Sequence, residues 1–419
     1  MVLRGTFGLL VTRNGGGDWD WLCEAGMGYQ DVEPPFTVLA GGTILLALPD
    51  GVGRSDPSGC DFARADGISA RVIDISRVTA RPGEAVALSV DESSSQVWRS
   101  TDGGRNFAPL GAVLDRFVAT TLDVAPGDPD RLYVSGVDGG GRPLLLRSSD
   151  AGDSFETSEL PSTDSVRRPY IAAVGPDDDR VFVRIDGLPG TLLASRDGGK
   201  SFEQVLELRV PVQGFALSPD GTSVLATNSF DGSFRADIET LEFERVACRG
   251  PSCLLWTSQG LFGCGTNLPD GFILGASNDH GASFERVVDL SCVRGPLACD
   301  DAASAGATCE SAWPAVQVQL GAETCSPPPA PAPATCGLEG EGGAAGAPAS
   351  GTGGTTSEGA GAGRAGAPAP QPSTDTGDSG CGCELPASRS GRGWPAVLGG
   401  LVLTIWLRRR ATERRVRPT

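Results

Sequence analysis

Short apolar runs separated by small polar clusters dominate the first 290 residues. Gln96-Val-Trp98, Leu144-Leu-Leu146, Leu192-Leu193 and Phe272-Ile-Leu274 each lead into one eight-residue polar pattern. Its four copies are Ser100-Thr-Asp102-Gly-Gly104-Arg-Asn-Phe107, Ser148-Ser-Asp150-Ala-Gly152-Asp-Ser-Phe155, Ser195-Arg-Asp197-Gly-Gly199-Lys-Ser-Phe202 and Ser277-Asn-Asp279-His-Gly281-Ala-Ser-Phe284. Another strand-like run follows each copy, as in Phe202-Glu-Gln-Val205-Leu206. A Ser/Asp/Gly cluster between two β-type runs predicts a hairpin turn. Ser and Asp side chains bond nearby backbone N–H groups, and Gly supplies positive φ. A second unit, strand–Pro/Asp turn–strand, recurs at Leu122 to Val134, Ala172 to Val183 and Phe215 to Ala226. It is expected to join the first and second strands of a repeat, while the Ser-Asp turn joins the third and fourth. In an antiparallel meander both turns lie at one end, and the remaining loops lie at the other.

The pattern continues in weakened form. Thr12 to Trp19 is a degenerate copy, and Ser55 to Phe62 has Pro57 where the Asp belongs. Before Phe243 the turn has decayed to Ala236-Asp-Ile-Glu-Thr-Leu-Glu. The closing aromatics are therefore Trp19, Phe62, Phe107, Phe155, Phe202, Phe243 and Phe284, spaced 41 to 48 residues apart. A period in the forties with several short strands per unit is a propeller blade. Seven aromatics predict an all-β, seven-bladed β-propeller of four-stranded antiparallel blades over residues 1–290.

The S-x-D-x-G-x-[S/T/N]-F pattern resembles the Asp-box (BNR) repeat of sialidase-like, sortilin-like and photosystem-assembly propellers. The resemblance implies a structural role for Ser100, Asp102, Gly104, Phe107, Ser148, Asp150, Gly152, Phe155, Ser195, Asp197, Gly199, Phe202, Ser277, Asp279, Gly281 and Phe284. The chain begins mid-blade: Val2-Leu3-Arg4 aligns with a second strand and Phe7 to Val11 with a third. No first strand and no signal peptide precede them, which leaves a ladder edge unpaired and points to a start codon further upstream.

After the repeats the composition changes. Residues 291–325 are Cys-rich and are expected to pack on the propeller. Residues 326–380 are Pro, Ala, Gly, Ser and Thr with scattered acids. Such a segment has too little apolar bulk to offset its ordering entropy, so a disordered tether is expected. At about 55 residues its root-mean-square reach is about 40 Å, enough to hold the propeller clear of a membrane. Residues 381–419 contain Cys381-Gly-Cys383, an apolar helix over 394–407 and Arg408-Arg-Arg410. Fourteen apolar residues are short for a span of about 20. The order Cys, short apolar helix, Arg cluster resembles the myxobacterial C-terminal sorting signal (MYXO-CTERM). It implies export, a transient inner-membrane stage, cutting by a sorting protease, and lasting attachment at the cell surface or outer membrane through lipidated Cys381 or Cys383.

Twelve Cys and one His suit an oxidising compartment better than a zinc site, as there is no CxxC pair. Cys248 with Cys253, Cys299 with Cys309, Cys325 with Cys336, and Cys23 with Cys60 are candidate disulfides. Connectivity stays open, with Cys264 and Cys292 unassigned. The net charge of −18 argues against nucleic acid, which needs a basic face.

Catalytic patterns are sparse. A sialidase-type site needs an arginine triad, a Tyr nucleophile with its Glu, and an acid. The chain has only Tyr29, Tyr133 and Tyr170, and no Phe-Arg-Ile-Pro motif. Tyr133 falls at a core or inter-blade position. The one histidine, His280, sits inside a turn and reads as an exposed turn residue. Asp177-Asp-Asp179 offers hard oxygens for calcium, but a solvated turn accounts for it better. No metal and no cofactor are expected. The sequence therefore favours a non-catalytic, cell-surface-anchored recognition or scaffold module. It is expected to be monomeric, with an unknown protein or glycan ligand. The alternative is an exported glycoside hydrolase or other hydrolase on a sialidase-like propeller. Loops opposite the turns differ most between repeats, and repeat proteins specialise at such loops.

Overall fold

The computed structural model describes residues 1–161, 167–176, 179–327 and 382–384. Seven sheets form seven blades, six of them four-stranded antiparallel meanders in chain order. Blade 4, for example, runs Phe117–Val124, Leu132–Asp138, Pro143–Ser148 and Glu156–Glu159. Neighbouring blades meet through their first strands, which ring the central axis.

Blades stack face to face, so both sides of a middle strand are buried. That is why Ala85–Leu88 and Val181–Val183 read as unbroken apolar runs rather than as alternating ones. The core is a series of layers between blades. One layer joins Leu88 and Val97 of blade 3 to Leu132 and Val134 of blade 4. Tyr133 and Phe182 are completely buried, and Phe182 stacks at 4.9 Å on Phe215 of the next blade. The outermost strand of blade 4, Glu156–Glu159, is polar, with only Ser158 buried. Charges along an outer edge oppose edge-to-edge association.

Blade 1 is built differently. Its strands in chain order are Val2–Gly5, Gly8–Val11 and Trp19–Leu22. The inner edge is not left open: Gly382–Glu384 pairs antiparallel with Val2–Arg4 and lies beside the first strand of blade 7, Cys253–Thr257. On the outer side Val293–Pro296 runs parallel to Trp19–Leu22, making this sheet five-stranded. The ladder groups expected to be unpaired are therefore satisfied by residues from beyond the repeats.

The Cys-rich segment packs on blades 1 and 2 and contains an element the sequence did not predict. Helix Gly306–Leu320 forms in it, despite Pro314. It sits against blade 1, with Trp313 5.6 Å from Trp21. Among the described residues four disulfides are placed: Cys23–Cys309, Cys60–Cys299, Cys253–Cys264 and Cys292–Cys325. Every pairing by sequence proximity is thus corrected. Cys253 joins Cys264, directly opposite on the neighbouring strand, not Cys248, although Cys248 is also disulfide-bonded. Cys299 and Cys309 separate to hold Cys60 and Cys23, which do not bond each other, and Cys325 takes Cys292 rather than Cys336. The entropic advantage of a short loop grows only slowly as loops shorten. Where the fold brings distant thiols to disulfide distance, geometry decides. Cys336, Cys381 and the apolar stretch 394–407 lie outside the described residues. Among the described residues no helix is long and apolar enough to cross a membrane.

Candidate functional site

The two ends of the propeller axis have different chemistry. One end carries the Ser-Asp turns, each between the third and fourth strands of its blade. In the blade 5 copy the Ser195 hydroxyl donates to Asp197 Oδ1 at 2.7 Å and accepts from Gly199 N at 2.8 Å. Asp197 Oδ1 accepts from the Lys200 and Ser201 amides, and Oδ2 from the Ser201 hydroxyl. Asp102, Asp150 and Asp279 repeat this arrangement with Asn106, Ser154 and Ser283. Phe107 closes its copy as a buried core residue, while Phe155, Phe202 and Phe284 pack partly buried against the inter-blade layers.

The glycine of each turn is held by contact as well as by conformation. Gly104 has φ +78°, and a Cβ there would lie 2.4 Å from Leu45 of the preceding blade. Gly281 has φ +91° and would meet Leu225 of its preceding blade at the same distance. The turn thus seals one blade against the last. The degenerate copies keep the bonding with other residues. Asn14 accepts from Asp18 N in blade 1. In blade 2 Asp56, one place before Pro57, accepts from the Cys60 and Asp61 amides. In blade 6 the pattern is lost, and Leu241 takes positive φ without a glycine.

These hydrogen bonds hold the turn carboxylates ionised. Burial alone would raise Asp102, but donors from Asn106, Ser100 and the Arg105 amide outweigh it, and it falls to about 2. Asp150 also falls to about 2, chiefly through the Ser154 hydroxyl and amide. Asp197 and Asp279 are lowered as well, again against the upward pull of burial. A depressed folded-state carboxylate stabilises the fold above its unfolded value, and that stability is lost as pH falls through the folded value. Stability from these turns should therefore hold at pH 4 and above and drain away towards about pH 2. Asp197→Ala is expected to cost about 1 kcal/mol or somewhat more, read as a lower denaturant midpoint; an unchanged midpoint contradicts the structural role.

His280 is an exposed turn residue at φ +57°. Asp179 is exposed and 3.5 Å from Arg131, while Asp177 and Asp178 lie outside the described residues. Among the described residues no cluster of three or more His, Cys, Asp or Glu is placed to hold a metal.

The opposite end carries the connections between blades and between second and third strands. Here an inter-blade clasp appears that the sequence reading missed. It occupies one level of the second strand, three residues on from the partner of the turn's Ser position. In blades 1, 4, 5 and 6 this residue is Arg4, Ser135, Arg184 and Thr227. Each donates to a carbonyl at the start of the next blade's first strand. Arg4 reaches Pro34 O at 3.1 Å and Ser135 reaches Pro169 O at 3.1 Å. Arg184 reaches Val212 O at 2.8 Å and Gln213 O at 3.1 Å, and Thr227 reaches Pro251 O at 2.7 Å. A signal existed: each of Ser135, Arg184 and Thr227 is a polar residue closing an apolar run.

Blades 5 and 6 concentrate buried polar groups at this end. Arg184, Gln213, Asn228 and Asp231 are all buried, and the Arg184 guanidinium lies 5.3 Å from the Tyr170 ring centre. Asp231 takes Arg209 Nε at 2.7 Å and Asn228 Nδ2 at 3.0 Å. Burial would raise Asp231, but those donors lower it. Asn228 Oδ1 accepts the Phe230 amide, and Gln213 Oε1 accepts the Ser229 amide, so the Asn228–Asp231 loop is fixed from below. Arg167 donates to Leu188 O and Pro189 O and fixes the neighbouring loop. Between the two loops runs Val210-Pro211, so close to Gly190 that a Cβ there would meet Pro211 at 2.4 Å. The result is a rigid polar floor from which two apolar side chains project. Leu188 is 70% exposed and Phe230 is 47% exposed.

No protein-family model and no curated protein matches the chain. Solved structures do, at the level of architecture. The Niastella koreensis GH74 enzyme aligns with a TM-score of 0.38 and 13% identity over 51% of this chain and 36% of its own. YCF48 from Cyanidioschyzon merolae aligns with a TM-score of 0.34 and 14% identity over 51% of this chain and 71% of its own. The Myceliophteria thermophila Cps50 (Swd1) β-propeller domain aligns with a TM-score of 0.42 and 12% identity, over 63% of this chain and 92% of its own. This chain is similar to propellers. It spans little more than a third of the GH74 enzyme it matches. The neighbours include both enzymes and non-enzymatic propellers, so the likeness is one of fold alone.

Proposed function

We propose that this protein is a non-catalytic recognition module that binds a protein or glycan ligand at the blade 5 and 6 end opposite the Ser-Asp turns. The observation that carries this reading is the fixed pair of loops presenting Leu188 and Phe230 above a buried polar floor. Apolar anchors on preorganised loops supply interface energy with little ordering cost. Several charged groups at this end hold loops. Arg142 ties to Asp138, and Arg209 to Asp231.

A glycosidase needs a carboxylic acid that stays protonated near its working pH. At this end Asp91, Asp138 and Asp231 are instead lowered by amide and arginine donors, for Asp231 against the upward pull of burial. One observation favours the hydrolase alternative. Glu24, in the connection from blade 1 to blade 2, is raised by burial despite the Asp31 amide, and it sits beside buried Tyr29. The test is a screen of the protein against glycans and cell-envelope fractions for both binding and cleavage. Saturable binding without product formation is expected. Cleavage abolished by Glu24→Gln would replace this reading with the hydrolase one.

The cell-surface assignment belongs to the same proposal and is supported by the order of Cys381-Gly-Cys383, apolar run and Arg cluster. Replacing Cys381 and Cys383 by Ser should release the propeller or strand it in the inner membrane. If the variant stays bound at the surface, the Cys pair is not the anchor.

A further inference from the structure

Cys248 is half-buried and disulfide-bonded. The eight cysteines of the four placed bonds pair among themselves. Of the twelve in the chain, the partners left for Cys248 are Cys336, Cys381 and Cys383. Blade geometry chooses among them. Cys248 directly follows Glu244–Ala247, the outermost strand of blade 6. Its backbone packs on the Asn228–Asp231 loop: a Cβ on Gly232 would lie 3.0 Å from the Cys248 carbonyl carbon, and Gly250 N donates to Asn228 O at 3.0 Å. Cys292 has the matching place on the neighbouring blade, just past Glu285–Val288, the outermost strand of blade 7. Cys292 holds Cys325 there.

We propose that Cys248 is bonded to Cys336, which fastens the C-terminal chain to the rim of blade 6 beside the Phe230 loop. From Cys325 to Cys336 the chain reaches at most about 36 Å. Packed sheets lie about 10 Å apart and splay towards the rim, so this reach covers the step from blade 7 to blade 6 with length to spare. The other two cysteines are held elsewhere. Gly382–Glu384 is the innermost strand of blade 1, paired with Val2–Arg4 and beside Cys253–Thr257 of blade 7. From innermost to outermost strand of a blade is three strand spacings, about 14 Å. The Cα atoms of a disulfide lie within about 7 Å of each other. Cys383, inside that strand, is therefore out of reach of Cys248. Cys381, one residue beyond it, gains only about 3.8 Å. The bond forms by exchange: the two thiols give up two protons and two electrons to a disulfide of the exporting compartment, which leaves as two thiols. The pairing keeps Cys381 and Cys383 for attachment. It also gives the C-terminal chain a fixed point of departure at the end that carries Leu188 and Phe230. It does not depend on what those loops bind, so its failure leaves that reading standing.

The experiment exports the full chain to an oxidising compartment, alkylates it with iodoacetamide under denaturing conditions without reduction, and digests it with trypsin. Cys248 then reports in the peptide 246–249. In the parent it should be protected from alkylation. Cys336→Ser should abolish that protection, whereas Cys381→Ser/Cys383→Ser should leave it complete. The parent alone gives a second reading that needs no variant to fold. Trypsin with a Glu-specific protease releases the peptide 324–339, which carries Cys325 and Cys336. Electron-transfer fragmentation between the two should find 246–249 attached to Cys336 and the Cys292 peptide attached to Cys325. The proposal is overturned if Cys248 stays protected in Cys336→Ser, if it is exposed by Cys381→Ser/Cys383→Ser, or if it is alkylated in the parent. A covalent dimer through Cys248 on non-reducing electrophoresis overturns it as well.

Discussion

Replacing Cys299 and Cys309 together by Ser is expected to lower the thermal unfolding midpoint by roughly ten degrees or more. The Cys23–Cys309 and Cys60–Cys299 bonds span 286 and 239 residues. They fasten the segment after the repeats to blades 1 and 2, where Val293–Pro296 extends the outer edge of blade 1. Losing one such bond typically costs about 2–5 kcal/mol. For a domain of this size each kcal/mol shifts the midpoint by roughly 2–4 °C. A single replacement leaves the other bond to hold the large loop, so the double variant should fall well below either single one. The same loss should follow reduction of the parent. Circular dichroism melts of the two single variants and the double variant check this. A double variant melting within about two degrees of the parent would show that the clamp adds nothing.

Arg184→Leu is expected to cost about 3 kcal/mol or more. The guanidinium is buried, donates to two carbonyls of the next blade and covers Tyr170. A hydrogen bond from a charged donor contributes about 1.5–3 kcal/mol, and its removal also leaves buried carbonyls without that donor. Leu keeps apolar bulk at this position but offers no N–H. Arg184→Lys keeps the charge and one compact donor, so it should recover part of the loss. Urea denaturation measures both. A loss under about 0.5 kcal/mol for Arg184→Leu would mean the clasp is incidental to blade contact.

The architecture was legible because one physical requirement repeats. Each blade needs a tight turn between its third and fourth strands and an aromatic or apolar residue to close it. Trp19, Phe62 and Phe243 mark blades whose turns have drifted, and counting them led to seven. The clasp level was harder to see. Its occupants, Arg4, Ser135, Arg184 and Thr227, share a position and a target but no single side-chain type. The disulfides were misread because nearness along the chain is a poor guide to nearness across a ring. Cys23 and Cys60 belong to the first two blades, and their partners return some 240 to 290 residues later. Helix Gly306–Leu320 escaped notice because its apolar residues do not line one face and Pro314 interrupts it. Its position comes from Cys309 and Trp313 docking on blade 1. The Leu188 and Phe230 surface was half legible. Both loops stood out as different between repeats, but exposure and fixed geometry are tertiary properties.

The most direct test of the recognition account compares three proteins against whichever glycan or envelope fraction the parent binds. They are the parent, Leu188→Ser/Phe230→Ser, and Asp197→Ala at the turn end. Truncating central apolar anchors commonly costs about 2 kcal/mol or more, some thirtyfold in affinity. The double variant should therefore lose at least tenfold in affinity while melting like the parent, and Asp197→Ala should melt earlier yet bind as the parent does. Unchanged binding by the double variant, or loss of binding in folded Asp197→Ala, would contradict the account.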